Sequence, residues 1–64
     1  MKVKYDKKVD ILYITLNQEE VIESDEYKTG IIIDYSKDGS VVGIEILNAS
    51  KHMPNPSKVE YEVA

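Results

Sequence analysis

Two carboxylates near the N-terminus are the first residues whose spacing could support chemistry. Asp6 and Asp10 lie four positions apart around a polar segment, and Tyr5 and Tyr13 flank them. Such a pair could act in acid–base catalysis or bind a hard cation through its carboxylate oxygens. Because aspartate side chains commonly bond the backbone of turns, the structural interpretation is favoured. We therefore expect Asp6 to close a turn and Asp10 to cap the strand that follows.

A third carboxylate, Glu45, lies in the otherwise apolar stretch 43–47, which reads Gly-Ile-Glu-Ile-Leu. Partial burial there would raise its pKa, which is one property of functional groups. The structural alternative is a side chain that points to solvent or pairs with a lysine across the sheet. Asp6, Asp10 and Glu45 are thus the residues that a small hydrolase or a metal-dependent enzyme would use.

A polar cluster follows at Asn48, Ser50 and His52. A serine and a histidine two residues apart on a helix point in different directions, which does not suit nucleophilic catalysis. No nucleophile elbow or glycine-rich oxyanion loop surrounds Ser50. The cluster favours helix capping by Asn48 and surface exposure, and we assign no catalytic residue.

The composition argues against several classes of ligand. The chain has 64 residues, no cysteine and one histidine, so disulfides and thiolate or histidine metal centres are not expected. Its net charge is −4, from 12 acidic and 8 basic residues. Because nucleic-acid binders usually carry a basic patch, direct nucleic-acid binding is not expected. We predict no metal and no cofactor.

Hydropathy gives no sign of a membrane segment. The longest apolar run is residues 30–33, far below the roughly 20 residues of a membrane helix. The N-terminal residues have no hydrophobic signal region. We therefore expect a cytoplasmic protein without a membrane partner.

Alternating and β-branched segments predict the elements that must position these residues. The predicted strands are 2–6, 11–16, 21–27, 31–35 and 41–47, and 59–63 is predicted as a last strand or a short helix. Asp38-Gly39 indicates a hairpin turn, and Gly43 within a strand indicates a bulge or a close approach. A short helix is expected at 49–53, where Pro54 and Pro56 prevent its extension.

These elements predict an α+β fold in a single domain over residues 1–64. The expected architecture is a small curved antiparallel sheet of four to five strands, with one short helix in the C-terminal half. Strands 11–16, 31–35 and 41–47 should form its centre. Both sheet faces receive apolar residues, which are Leu12, Ile14, Ile31, Ile32, Ile33, Val42, Ile44 and Ile46. Because one short helix cannot cover them, we expect a homodimer.

An acidic segment precedes and includes the third predicted strand. It contains Glu19, Glu20, Glu23, Asp25 and Glu26. Electrostatic complementarity would steer such a surface toward a basic protein partner. The sequence therefore favours a protein-interaction module, with Glu23, Asp25 and Glu26 as the partner surface, over the enzyme described above.

Several segments resemble domain-of-unknown-function family 2283 in their order and spacing. They are Tyr5-Asp6, Asp10, 12–14, Asp34-Tyr35, Gly39 and 42–50. The family contains small prokaryotic proteins of about this length. The resemblance implies a small β-sheet with a short helical element and an antitoxin-like role beside a toxin-like partner. It implies no catalytic residue and no cofactor that could be transferred to this chain.

Overall fold

The computed structural model describes residues 1–64 and contains five β-strands and one short α-helix. In chain order they are β1 (Lys2–Asp6), β2 (Ile11–Thr15), β3 (Glu23–Lys28), β4 (Ile31–Tyr35), β5 (Val41–Leu47) and α1 (Ala49–His52). The strands form one antiparallel sheet in the order β1-β2-β5-β4-β3. The sheet is open, with β1 and β3 as its edges. The predicted fold class is confirmed, and the acidic third strand begins two residues later than expected.

The ladder between β2 and β5 joins the two parts of the sheet. The hairpin β1-β2 lies on one side of this ladder, and the meander β3-β4-β5 lies on the other. Strands β2, β5 and β4 occupy the centre, as the sequence predicted from their nearly continuous apolar residues. Gly43 opposes Thr15 in this ladder, and the pairing of β4 with β5 shifts register beside it. The predicted irregularity at Gly43 is therefore confirmed.

The turns are fixed by short polar side chains and by glycine. Asp6 Oδ1 accepts a hydrogen bond from the Lys8 backbone N–H at 3.0 Å, so its predicted turn role is confirmed. In the β4-β5 turn, Asp38 Oδ1 accepts from Ser36 Oγ at 2.6 Å and from the Ser40 N–H at 3.1 Å. These bonds lower the pKa of Asp38 to about 2. Gly39 supplies the left-handed backbone of this turn, with φ of 85°.

Pairing in the ladders sorts the side chains into two different faces, because directly opposed residues point the same way. One face, here named the isoleucine face, carries Leu12, Ile14, Ile31, Ile33, Ile44 and Ile46. The other, named the carboxylate face, carries Ile11, Tyr13, Ile32, Asp34, Glu45 and Leu47. Both faces of the sheet therefore carry apolar residues, and the acidic residues of the central strands lie together on the carboxylate face.

The sheet is covered mainly at its two ends. Leu16 N–H donates to the Val42 carbonyl at 2.7 Å and Ile22 N–H to the Tyr35 carbonyl at 2.8 Å, which holds the segment between β2 and β3 across one end. Helix α1 lies at the opposite end, where Ala49 is fully buried. Leu12 and Val42 are also buried, whereas the isoleucines between the ends are half-buried. No large side chain is completely excluded from solvent.

Helix α1 has four residues, one fewer than the predicted 49–53. Asn48 stands at its N-cap position but makes no side-chain capping bond, so the predicted capping by Asn48 is wrong. The cause is its left-handed backbone, with φ of 52°, whereas a capping residue normally has an extended backbone. No helix of this structure is both long enough and apolar enough to pass through a bilayer.

The prediction of a last strand or short helix at 59–63 is wrong. Residues 58–64 form neither a strand nor a helix, and all of them are exposed. The alternation of apolar and acidic residues is present, but a strand also needs a neighbour that pairs with its backbone. Neither edge of the sheet supplies that neighbour within the chain.

We predict that Gly43→Ala destabilises the protein by about 1–3 kcal/mol, because its Cβ would lie 2.9 Å from the Ile14 backbone oxygen. Thermal unfolding measures the effect as a lower Tm. Gly39→Asn is the control, since no atom lies within 4 Å of a Cβ at that position and asparagine tolerates the left-handed backbone. Equal Tm values for the wild type and Gly43→Ala would contradict the close approach.

Candidate functional site

The most tightly bonded polar cluster joins the first hairpin to α1. Asp10 Oδ1 accepts a hydrogen bond from the Tyr5 hydroxyl at 2.6 Å and from the Ser50 N–H at 3.0 Å. Its second oxygen, Oδ2, accepts from Ser50 Oγ at 2.6 Å. Both oxygens of this carboxylate are therefore engaged within the protein.

Local backbone geometry places Asp10 at this position. Its φ is 56°, a left-handed conformation that aspartate tolerates better than most residues. The Asp10 carbonyl also accepts a hydrogen bond from the Ala49 N–H at 2.9 Å. Asp10 thus satisfies two N–H groups of the first turn of α1, the role that the sequence assigned to Asn48. The expectation that Asp10 caps its following strand is wrong, because its carboxylate caps the helix.

The hydrogen bonds in this cluster change its acidity. The bonds from Ser50 and Tyr5 lower the pKa of Asp10, since both favour its charged form. The same carboxylate raises the pKa of Tyr5, first by accepting a hydrogen bond from its hydroxyl, and the desolvation of Tyr5 and the charge of Asp10 raise it further. Ser50 therefore faces an ionised carboxylate and an un-ionised tyrosine at neutral pH. This arrangement holds the helix in place.

The histidine does not join the cluster. His52 Nε2 lies 3.7 Å from the position that a Cβ would take on Gly30, beside the start of β4. Ser50 is bonded to Asp10, so the two side chains diverge along α1 as their spacing predicted. Their arrangement agrees with the prediction that Ser50 and His52 do not form a catalytic pair.

A second pair of acidic groups lies on the carboxylate face. Glu45 is half-buried on β5, and Asp34 of β4 opposes Gly43, two residues away on the same face. With no side chain at Gly43, Asp34 Oδ2 lies only 3.6 Å from the position of the missing Cβ. Burial raises the pKa of Glu45, and the neighbouring Asp34 carboxyl raises it further. Ser24 Oγ donates to Asp34 Oδ1 at 2.6 Å.

Sequence reasoning identified Glu45 but missed Asp34. A signal was present, because Asp34 also interrupts an apolar strand, after Ile31, Ile32 and Ile33. Counting outward from the Asp38-Gly39 turn pairs Asp34 with Gly43 and Ile32 with Glu45, as in the structure, because the register shift lies between Asp34 and Tyr35, on the turn side of these pairs. The raised pKa expected for a partly buried Glu45 is present, with a carboxyl neighbour rather than a lysine.

The three predicted carboxylates do not form one site. Asp6 bonds a turn, Asp10 caps α1 and Glu45 neighbours Asp34. No group of three or more acidic, histidine or cysteine side chains is arranged to hold a metal ion. Two surface depressions of about 260 and 270 Å³ lie elsewhere, one lined by residues of 1–2 and 15–18, and the other by residues between 53 and 60.

The predicted partner surface lies along an open edge of the sheet. All six residues of β3 are exposed, and this strand pairs only with β4. Asp25 opposes Ile33 and Glu26 opposes Ile32, so their side chains point to opposite faces, and Glu23 points the same way as Asp25. The three acidic residues therefore share an edge rather than a face.

Comparison with known proteins places this fold in a family. The family model described as protein of unknown function (DUF2283) matches residues 2–50 of the sequence. These residues include all five strands and the start of α1. The chain belongs to the DUF2283 family, and the resemblance noted from its sequence is confirmed. No curated protein and no solved structure gives a match to this chain.

We predict that Asp10→Asn lowers the Tm at neutral pH, because the charged acceptor of Tyr5 and Ser50 is lost. The lowered pKa of Asp10 means that its contribution is present above the unfolded value, about 4, and disappears as the pH falls through the folded value. Thermal unfolding at several pH values should show the wild type and variant converging below about pH 4. Asp6→Asn, which affects a single turn bond, should change the Tm less. A Tm difference between the wild type and Asp10→Asn that stays constant with pH would contradict the stabilising role of the charged Asp10 carboxylate.

We predict the opposite pH dependence for Glu45→Gln. Because the pKa of Glu45 is raised, its protonated form stabilises the fold below the unfolded value, about 4.3, and this contribution is lost as the pH rises through the folded value. The variant should therefore have a higher Tm than the wild type at pH 7, with a smaller difference at pH 4. Glu23→Gln, on exposed β3, is the control without such a trend. A Tm difference independent of pH would contradict the raised pKa of Glu45.

Proposed function

We propose that this DUF2283 domain is a protein-interaction module that binds a basic partner along the edge strand β3. The observation that carries the proposal is the position of the acidic residues on that strand. Glu23 and Asp25 project to one side of the sheet and Glu26 to the other, and all three are exposed. A partner that contacts all three must lie along the edge itself.

An added strand meets this requirement. The free edge of a sheet offers backbone N–H and C=O groups to an extended segment, and alternate side chains give the specificity. A basic strand would place positive side chains on both faces, beside Asp25 on one and Glu26 on the other. Acidic side chains on an edge also discourage pairing with other acidic or apolar strands, so the same charges would select the partner.

The turn after β3 helps to present this edge. The Gly30 N–H lies 3.4 Å from Glu26 Oε2, and Ser24 Oγ bonds Asp34 on the adjacent strand. The register between β3 and β4 shifts between Glu26 and Lys28, which ends the regular edge there. The regular part of β3 therefore coincides with its acidic residues.

The enzyme alternative has no comparable support. Its three residues, Asp6, Asp10 and Glu45, each have a structural contact of their own, and they lie in three separate environments. The antitoxin-like role stays a prediction from the family resemblance. It would be one form of the interaction module, in which the basic partner is the toxin-like protein.

We predict that replacing Glu23, Asp25 and Glu26 with lysine abolishes partner binding, because attraction becomes repulsion along the whole edge. Affinity capture from the host lysate with the wild-type domain, at low and high salt, should yield a stoichiometric small basic protein that is lost at high salt. The purified partner is then titrated against each variant.

Glu60→Lys/Glu62→Lys is the control for added positive charge, since these exposed residues lie in the C-terminal segment and are not part of β3. It should keep most of the wild-type affinity. A partner that binds the β3 variant as tightly as the wild type would refute the proposed surface, and so would a partner of acidic character whose binding does not respond to salt.

A further inference from the structure

The C-terminal segment 59–63, named the C-terminal arm, has the side chains of a strand but no strand partner. Val59, Tyr61 and Val63 are 56%, 76% and 78% exposed. They alternate with Glu60 and Glu62, and β-branched and aromatic residues in such a pattern favour extended pairing. The only ion pair of the arm joins Lys58 and Glu60 at 3.4 Å, and both side chains are mostly exposed. An exposed pair of this kind stabilises little.

The free edge of β1 has the complementary pattern. Val3 and Tyr5 oppose Ile14 and Leu12, so they belong to the isoleucine face, and Val3 is 37% exposed. Lys2 and Lys4 project from the carboxylate face and are exposed. Apart from its ladder with β2, this strand leaves backbone groups available for a further strand.

We infer that the C-terminal arm pairs as an added antiparallel strand with β1 of a second copy of this chain. In the matching register Glu60 opposes Lys4, Glu62 opposes Lys2 and Tyr61 opposes Val3. Directly opposed residues share a face, so both carboxylates meet lysines while Tyr61 extends the isoleucine face. A single register thus satisfies the charged and the apolar positions together.

Charge selects β1 over the other edge of the sheet. Strand β3 presents Glu23, Asp25 and Glu26 against a single lysine, Lys28, so it would repel Glu60 and Glu62 over most of its length. Like charges directly opposed across two strands are destabilising, whereas opposite charges are stabilising. The two edges therefore have different occupants, and this contact is independent of the partner proposed for β3.

A second copy is the occupant because the arm stays unpaired within its own chain. It follows a turn in which Lys58 N–H donates to the Asn55 carbonyl at 3.1 Å, and strand β1 pairs only with β2. Each copy carries one arm and one free β1 edge, so a two-fold dimer makes the same contact twice. Exchange of identical segments between copies is a common route to dimers. The homodimer expected from the sequence would form in this way.

The test uses two complementary charge-reversed variants. In Glu60→Lys/Glu62→Lys the arm and β1 are both basic, and in Lys2→Glu/Lys4→Glu both are acidic. Sedimentation equilibrium should give the wild type a mass twice the 7.3 kDa of one chain, and each variant alone a dissociation constant raised at least about tenfold. An equimolar mixture of the two variants should regain the dimer, because every arm then meets a β1 of opposite charge.

Two further variants of this chain serve as controls for the sedimentation measurement. Glu19→Lys/Glu20→Lys changes the net charge as much as the arm variant but should remain dimeric, since these residues lie outside both strands. Removal of residues 59–64 should give a monomer with its sheet intact by circular dichroism. A monomeric wild type, a mixture that stays monomeric, or a dimer that survives removal of the arm would each overturn the inference. The last result would place the dimer contact on the sheet itself.

Discussion

The structure depends on the ladder between β2 and β5, because it is the ladder that connects the N-terminal hairpin to the three-stranded meander. Two features hold this ladder at its ends. At one end Gly43 allows the backbone of β5 to pass close to the Ile14 carbonyl. At the other end Asp10, between β1 and β2, bonds the first turn of α1, which directly follows β5. A chain of this size buries a limited share of its surface, so such fixed points contribute strongly to a unique register.

The strands, and which three of them occupy the centre of the sheet, could be predicted from the sequence, whereas their order could not. Apolar residues on both sides of β2, β4 and β5 mark central strands, and acidic residues mark β3 as an edge. The same reasoning failed for residues 59–63, because alternation reports a preference for extended structure and carries no information about an available neighbour. It also failed for Asn48, whose capping preference is overridden by a backbone that turns left-handed to bring α1 beside Asp10.

The candidate sites were harder to predict, since each depends on a contact between distant parts of the chain. Aspartate at position 10 was identified as a structural residue, but its bonds to Ser50 depend on where β5 delivers the helix. Glu45 was identified from its apolar surroundings, whereas its neighbour Asp34 was missed although it too interrupts an apolar strand. The residue types thus indicated which polar side chains stand out from their surroundings. The pairing of the strands determined which other side chains they contact.

The contact between Asp10 and Ser50 has a consequence for the order of folding. The two residues are separated by 40 positions in the chain. A helix of four residues is too short to persist alone, since helix nucleation costs more than so few hydrogen bonds return. Helix α1 therefore forms only after the β1-β2 hairpin and β5 have come together. Closing such a long loop is slow, so the assembly of the sheet sets the rate and the helix follows it.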